Sequence, residues 1–158
     1  SLMQLGKWFD YMRENGVYDN TRIILVADHG RGLYLNWDRV IDNGPDTDFF
    51  FPLLMVKDFN AKGFSFSDTF MTTADVPTLA TSGLIDNPTN PFTGNAINAN
   101  AKYDRPFYAF MSYDWDTSKN NGNQFFPGTW YRVDNQNARD KRNWVMVGEN
   151  TVLPDALR

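Results

Sequence analysis

One short stretch near the N-terminus constrains the fold more than any other. The unbroken apolar run Ile23–Ala27 is rich in β-branched residues and lies between Asp19–Asn20 and Gly30. Such a run predicts a short strand that is buried on both faces, as the strands of parallel sheets are. Asp28 and His29 follow at the carboxyl end of this strand, where open α/β sheets bind their ligands. A carboxylate and an imidazole are both common ligands of divalent metals.

The residues before this strand predict an amphipathic helix. Apolar positions recur at spacings that place them on one helical face. Asn15–Gly16 is a typical helix end, because glycine readily adopts the left-handed conformation of the helix cap. A helix, a short turn and a buried strand form half of an α/β unit. The expected apolar face consists of Leu2, Leu5, Phe9 and Met12, widened by Trp8 and Tyr11.

Downstream of the strand, the pattern predicts a long loop, a second strand and a short helix. Residues 31–48 contain glycine, asparagine and aspartate with little periodicity, which indicates a loop. Pro52 favours a strand start or a sheet edge, so we expect the second strand at Leu53–Val56. Thr72 and Asp75 have the spacing of a capping box that opens a helix. Its expected buried face is Val76, Leu79, Ala80 and Leu84, and the Asn-rich residues 86–100 indicate another loop.

The last third of the chain has a pattern typical of β-structure. Alternating residues from Phe107 onward predict a strand. Two further apolar segments, Trp130–Val133 and Asn143–Val147, flank the polar link Asp134–Arg142 and are expected to pair as antiparallel strands. The sequence therefore predicts a small β-rich cap after an α/β portion.

Composition excludes several classes of function. The chain has 158 residues, 42% of them hydrophobic, and a net charge of −4, so it can form one core and has no bulk electrostatic basis for binding nucleic acid. The absence of cysteine excludes disulfides and thiolate metal sites, and leaves the compartment open. No apolar run approaches the ~20 residues that a membrane helix needs, so we expect the chain as given to be soluble.

A family resemblance appears when the helix, the turn, the strand and Asp28-His29-Gly30 are taken together in register. The segments that carry it are Trp8–Met12, Asn15–Thr21, Ile23–Gly30, Pro52–Lys57 and Thr73–Leu79. Together they resemble the C-terminal half of bacterial sulfatase-like proteins of the alkaline phosphatase superfamily. The nearest branch contains lipoteichoic acid synthases and phosphoethanolamine transferases. The region from Trp130 to Trp144 resembles the C-terminal extension of that branch more weakly.

The resemblance implies a fold, a domain division and a metal site. The fold is α/β, the C-terminal half of an alkaline-phosphatase-like sheet-and-helix sandwich. Residues 1–105 would be its sulfatase-like α/β portion and residues 106–158 the β-rich C-terminal extension. In this family an N-terminal segment supplies an acidic ligand and a Thr, Ser or formylglycine nucleophile. By this correspondence Asp28 and His29 supply the remaining metal ligands, in the extracytoplasmic domain of a membrane-anchored bacterial protein.

The chain departs from the family pattern in two respects. The half that carries the nucleophile is missing, and no internal Thr or Ser stands in a convincing replacement motif. His29 is also the only histidine, and Asp48–Phe51 has no histidine where relatives often place one. A two-zinc site is therefore not expected. A single Mn²⁺, Mg²⁺, Ca²⁺ or Zn²⁺ completed by missing residues is compatible with the pattern, as is a chain that binds no metal by itself.

Each candidate site residue also has a purely structural interpretation. Asp28 can cap a turn and His29 can bond to a backbone carbonyl. Arg31 can hold a substrate phosphate or sulfate with two hydrogen bonds, or it can be a solvated loop arginine. Lys57 is expected to form a structural ion pair with a nearby carboxylate.

Other residues are more simply explained by structure than by chemistry. Capping accounts for Thr72, Thr73 and Asp75, which otherwise resemble a nucleophile beside an acid. Asp46 and Asp48 are possible oxygen ligands, but loop acids are usually solvated. An aromatic set in the cap is expected to pack in a core, although it can also line a carbohydrate groove. This set consists of Trp115, Trp130, Tyr131 and Trp144.

Two functions follow from these observations. The first is the C-terminal portion of a metal-dependent sulfatase-like hydrolase or transferase of phosphate or sulfate esters, inactive alone because its nucleophile is missing. Its partner would be the N-terminal half of the same protein. The alternative is a non-catalytic module that binds a glycan or a protein. Half of an α/β domain would expose sheet edge and apolar helix face, so we also expect self-association or a large apolar patch, unless the β-rich cap covers that surface.

Overall fold

A computed structural model describes residues 2–112 and 126–157. These residues form a mixed α/β structure with two small antiparallel sheets and few helices. They divide into two compact units: unit 1 contains residues 1–28 and 52–97, and unit 2 contains residues 29–51 and 98–158. The elements are α1 (Leu2–Glu14), β1 (Ile23–Val26), β2 (Leu54–Lys57), α2 (Val76–Thr81), β3 (Phe107–Met111), β4 (Gly128–Val133) and β5 (Trp144–Thr151).

Unit 1 begins with the predicted amphipathic helix. The helix spans Leu2–Glu14, and Gly16 follows with φ of +69°, so the predicted helix end is confirmed. The expected burial of its apolar face is largely wrong, because Met12 is its only buried residue and Leu2 is 81% exposed. Periodicity identifies which residues share a face, but a face becomes buried only where another element packs against it.

The strand at Ile23–Val26 is confirmed in position but not in its surroundings. It pairs with β2 in antiparallel register, from Ile23 opposite Lys57 to Val26 opposite Leu54. The prediction of a parallel-type strand buried on both faces is therefore wrong, and Val26 is 45% exposed. A short apolar run indicates a strand but carries no information about the direction of its partner.

Two cationic side chains hold unit 1 together. Arg22 Nη1 donates to the carbonyl oxygens of Leu79 at 2.9 Å and of Ser82 at 2.6 Å, while its Nε donates to Asp58 at 2.9 Å. These bonds connect the start of β1, the residue after β2 and the C-terminal end of α2.

Lys57 performs a similar task nearby. Its Nζ donates to the carbonyl oxygens of Tyr18 and Thr21 and lies 4.3 Å from the centroid of the Tyr18 ring. Carbonyl oxygens therefore hold this side chain, in place of the expected carboxylate. Lys57 ties the turn before β1 to the end of β2.

The second helix starts as its capping box predicts. The backbone N–H and the hydroxyl of Thr72 donate to Asp75 Oδ2 at 2.7 and 3.1 Å, and α2 begins at Val76. These contacts support capping for Thr72 and Asp75. The expected burial of Leu84 is wrong, since this side chain is exposed beyond the end of the six-residue helix. Ala80 is also exposed.

Unit 2 contains a three-stranded antiparallel sheet in the order β3-β4-β5. Val133 lies opposite Trp144, which confirms the predicted antiparallel pairing. Trp144 Nε1 donates to the Ala138 carbonyl at 2.8 Å and its ring lies 5.0 Å from that of Phe50. The core consists of Ala109, Tyr131, Val133 and Trp144, with Ile41, Phe50, Phe107 and Ala138 against it. Tyr131 and Trp144 thus pack as expected, whereas Trp115 lies outside the described residues.

The predicted long loop belongs to the same unit. Residues 29–51 contain two 3₁₀ turns, Trp37–Arg39 and Thr47–Phe50, and a bridge between Val40 and Asp46. Among the described residues, none of the helices combines the length and the apolar character needed to cross a membrane. The division at residue 105 stays a prediction of the family resemblance.

Candidate metal centre

The Asp28-His29-Gly30 motif begins two residues after the end of β1. Asp28 and His29 are both exposed. His29 Nδ1 lies 2.6 Å from the carbonyl oxygen of Gly30. Because a carbonyl oxygen can only accept, Nδ1 carries the proton in this hydrogen bond, and Nε2 is the nitrogen with the lone pair in the neutral ring.

This hydrogen bond fits two of the interpretations of His29. Histidines that bind metals usually donate from the other ring nitrogen to a carbonyl or carboxylate, which fixes the tautomer and the ring orientation. A purely structural histidine makes the same bond to a backbone carbonyl. The bond therefore identifies Nε2 as the nitrogen that would bind a metal.

Gly30 is required by the close approach of the backbone behind the motif. A Cβ at this position would lie 2.0 Å from the carbonyl oxygen of Asp48 and 2.6 Å from that of Phe51. The Gly30 N–H donates to the Phe49 carbonyl at 2.9 Å. Gly32 is similarly crowded, because its Cβ would lie 2.6 Å from the Phe49 ring. The segment after Asp46 therefore fixes the path of the chain that carries His29.

Asp46 organises that segment from a buried position. Its side chain is 1% exposed and accepts the backbone N–H of Tyr34 at 2.9 Å and of Asp48 at 3.0 Å. The expectation of a solvated loop acid is therefore wrong for Asp46. Asp48 forms an ion pair with Arg39 at 2.5 Å, and the buried hydroxyl of Thr47 has no hydrogen-bond partner among the described residues.

A sequence signal for this role of Asp46 exists. The signal is the residue type itself, because aspartate readily accepts the N–H of the residue two positions later in an Asx turn, as Asp46 does from Asp48. The signal is weak alone because aspartate is common in loops. It gains weight here from the glycines at positions 30 and 32, which allow another segment to approach closely.

The remaining candidate residues are less constrained by the structure. Arg31 directly follows the motif and is exposed. Its contact with a substrate anion stays a prediction. Lys57 is bonded to the carbonyls of Tyr18 and Thr21, so it has a complete structural explanation.

The donor chemistry fits a divalent metal only in part. Asp28 offers carboxylate oxygens and His29 offers Nε2, and both atom types bind Mn²⁺ and Zn²⁺. Within residues 2–112 and 126–157, however, no three Asp, Glu, His or Cys side chains form a group that could hold a metal ion. Catalytic zinc sites normally use three protein ligands. The described residues therefore do not form a full ligand set.

Comparison with known proteins adds no family assignment. No protein-family model matches the chain, and neither the curated proteins nor the solved structures gave a significant match. The resemblance to sulfatase-like proteins therefore rests on the sequence segments quoted above.

Proposed function

We propose that this chain is the C-terminal portion of a metal-dependent sulfatase-like hydrolase or transferase that acts on phosphate or sulfate esters. The parent protein would be anchored in a bacterial membrane, with this portion outside the cytoplasm. The observation that carries the proposal is the exposed Asp28-His29-Gly30 motif at the end of β1, in which His29 Nδ1 donates to the Gly30 carbonyl. That bond gives His29 the tautomer a metal ligand needs.

Each residue of the motif has a role in this proposal. Asp28 and His29 Nε2 bind one Mn²⁺, Mg²⁺, Ca²⁺ or Zn²⁺, and Gly30 provides the close backbone approach that orients His29. Arg31 holds a non-bridging oxygen pair of the phosphate or sulfate group with its planar guanidinium. When bound, such a metal stabilises negative charge on the transferring group and lowers the pKa of a nucleophile.

The same proposal assigns the nucleophile and the other ligands to an N-terminal segment of the parent protein. This assignment follows from the family resemblance. We therefore expect weak metal binding and no turnover from this chain alone. The coding sequence upstream of Ser1 tests this assignment: it should encode membrane helices followed by a Thr or Ser nucleophile motif.

Metal binding is tested by titrating the chain with Mn²⁺ and recording by NMR the paramagnetic broadening of the backbone amide signals of residues 27–31, which can be followed in every variant. We expect selective broadening that is lost in Asp28→Asn and in His29→Gln, because each variant replaces a ligand with a nearly isosteric amide. Asp19→Asn is the matched control, since it removes an exposed carboxylate that pairs with Lys62 at 3.3 Å. Unchanged Mn²⁺ binding in both motif variants would overturn the proposed ligands.

Catalysis is tested separately with aryl phosphate and aryl sulfate esters in the presence of Mn²⁺ or Zn²⁺. No hydrolysis above the metal-only rate is expected. Robust turnover by the chain alone would show that its own residues supply the nucleophile, which contradicts the proposed division of the site.

A further inference from the structure

The residue after α1 is an asparagine followed directly by a glycine, the pairing in which asparagine loses its amide most readily. Asparagine is among the thermolabile residues of proteins. We infer that Asn15–Gly16 is a site of spontaneous deamidation, and that the product weakens the last turn of α1. This reaction is independent of the proposed metal site.

The reaction uses atoms of these two residues and water. The backbone nitrogen of Gly16 gives up its proton and attacks Cγ of Asn15. The new N–Cγ bond closes a succinimide ring, and the Cγ–Nδ2 bond breaks to release ammonia, which takes up that proton. Water then opens the ring at either carbonyl, which leaves aspartate or isoaspartate. Attack within one chain is favoured because the two atoms are held close together, and glycine has no Cβ to obstruct the nitrogen.

The structure leaves room for this ring at the end of α1. A Cβ built on Gly16 would have no described atom within 4 Å, and Asn15, Gly16 and Val17 are all exposed. Asn15 Nδ2 donates to the Tyr11 carbonyl at 2.8 Å. The Gly16 N–H donates to the Arg13 carbonyl at 3.1 Å. Both bonds must open before the ring closes, and a fraying helix end opens at a small free-energy cost.

The dipeptide Asn43–Gly44 has the same chemistry in a more crowded place. A Cβ on Gly44 would lie 2.9 Å from the Cβ of Ile41 and 3.1 Å from the Tyr131 hydroxyl. The Gly44 N–H donates to the Ile41 carbonyl at 2.8 Å, and the next residues, 45–47, are buried. Opening this turn disturbs a packed region, so deamidation should be slower there than at Asn15.

Deamidation changes the hydrogen bonds that end the helix. The Tyr11 carbonyl accepts both the backbone N–H of Asn15 at 3.1 Å and its Nδ2 at 2.8 Å. Aspartate keeps the first donor but replaces the second with a carboxylate oxygen, which the carbonyl repels. A negative charge is also unfavourable at this position, because the C-terminal end of a helix is the negative end of its dipole. The last turn of α1, which contains the buried Met12, should therefore open more often.

The test is incubation of the chain at mildly alkaline pH, followed by trypsin digestion and mass spectrometry. Trypsin places Asn15, Asn43 and Asn121–Gly122 in separate peptides, and the last of these lies outside the described residues. The same incubation in concentrated guanidinium chloride gives the rate of each site without the folded structure, and each folded rate is divided by that rate. The resulting ratio should be at least about tenfold higher for Asn15 than for Asn43.

A variant assigns the mass change to one residue. Asn15→Gln places the amide one methylene group further from the Gly16 nitrogen, so its peptide should keep the original mass. This control also excludes Asn20, which lies in the same tryptic peptide. A mass change that persists in Asn15→Gln, or a ratio for Asn15 that is equal to or below that for Asn43, would overturn the assigned site.

The effect of the product is measured with Asn15→Asp. Hydrogen exchange in the last turn of α1 should be about two- to fivefold faster than in the original protein. Asn20→Asp is the matched control, because it adds the same charge at an exposed position beyond the helix and should leave that exchange unchanged. Far-UV circular dichroism shows whether each variant keeps the helix. Equal exchange in Asn15→Asp and the original protein would overturn the predicted weakening.

Discussion

The two units are stabilised in different ways. Unit 2 buries Ala109, Tyr131, Val133 and Trp144 in one cluster. Among the described residues of unit 1, Met12 and Ile23 are the only buried apolar side chains, and Arg22 and Lys57 donate to backbone carbonyls of several elements. Unit 2 thus has a buried apolar cluster, whereas charge-assisted hydrogen bonds connect the separate elements of unit 1.

This difference has a physical consequence for how each unit responds to change. Apolar burial is distributed over many contacts and depends on volume. A cationic side chain concentrates several hydrogen bonds in one residue, and its removal leaves several carbonyls without a partner at once. Four experiments follow, in order of decreasing expected effect, and in the first two hydrogen exchange is measured separately for the peptides of each unit.

The largest effect is expected from Trp144→Ala. The substitution removes the ring contact with Phe50 and the hydrogen bond to the Ala138 carbonyl and leaves a cavity. The free energy of unfolding should therefore fall by about 3–5 kcal/mol. Urea denaturation measures the loss, and faster exchange should be confined to unit 2. Trp37→Ala, at a tryptophan that is 73% exposed, should change the same quantity by less than about 0.5 kcal/mol. Equal losses in both variants would contradict a core centred on Trp144.

Arg22→Met should follow, with a loss of about 2–3 kcal/mol. The variant keeps an apolar stem but removes the bonds to Leu79, Ser82 and Asp58. Faster exchange is expected in unit 1. Arg22→Lys should recover only part of the lost stability, because an ammonium group cannot donate in the several fixed directions of the planar guanidinium group. A variant as stable as the original protein would show that apolar burial alone stabilises unit 1.

Gly30→Ala and Gly6→Ala should have effects of opposite sign. At Gly30 the new methyl group meets the Asp48 carbonyl, and we expect a loss of about 1–3 kcal/mol from the required backbone shift. At Gly6, in the middle of α1, nothing lies within 4 Å of the new Cβ, so alanine should stabilise by about 0.5–1 kcal/mol. Thermal denaturation distinguishes the two, and stabilisation by Gly30→Ala would contradict the close approach described for the motif.

The smallest effect concerns acid pH. Hydrogen bonds from the side chain and backbone of Arg142 lower the pKa of Asp140 from 3.8 to about 2. Because the pKa in the folded state is the lower one, this carboxylate contributes stability above pH 3.8 and loses that contribution as the pH falls towards 2. The difference in urea midpoint between the original protein and Asp140→Asn should shrink across this range. A constant difference would show that the Asp140–Arg142 pair does not contribute.

The sequence predicted the elements of the fold better than their surroundings. The helix at Leu2–Glu14 and the pairing of β4 with β5 follow from periodicity and turn residues, which are local signals. The antiparallel partner of β1 and the exposure of Leu2 depend on packing between distant segments. No local pattern in one sequence records such packing.

The candidate site shows the same limit. Asp28 and His29 stand out because two metal-binding residue types follow an apolar run. The crowding at Gly30 and the burial of Asp46 arise from two segments of the long loop that approach each other in space. A glycine or an aspartate in a loop can serve several structural roles, so only the structure identifies which role each residue has.

The two-stranded sheet of unit 1 has a further consequence. Its strands pair only with each other among the described residues. The Ala27 N–H donates to the carbonyl of Leu53, the residue opposite, and hydrogen-bonded and non-hydrogen-bonded pairs alternate along an antiparallel ladder, so Ile24 and Val56 form a non-hydrogen-bonded pair. The backbone amides of Ile24 and Val56 therefore point outward, along opposite borders of the ribbon. Each border therefore carries a row of backbone N–H and C=O groups that the β1–β2 ladder itself does not pair, which is the feature that distinguishes an edge strand from a central one.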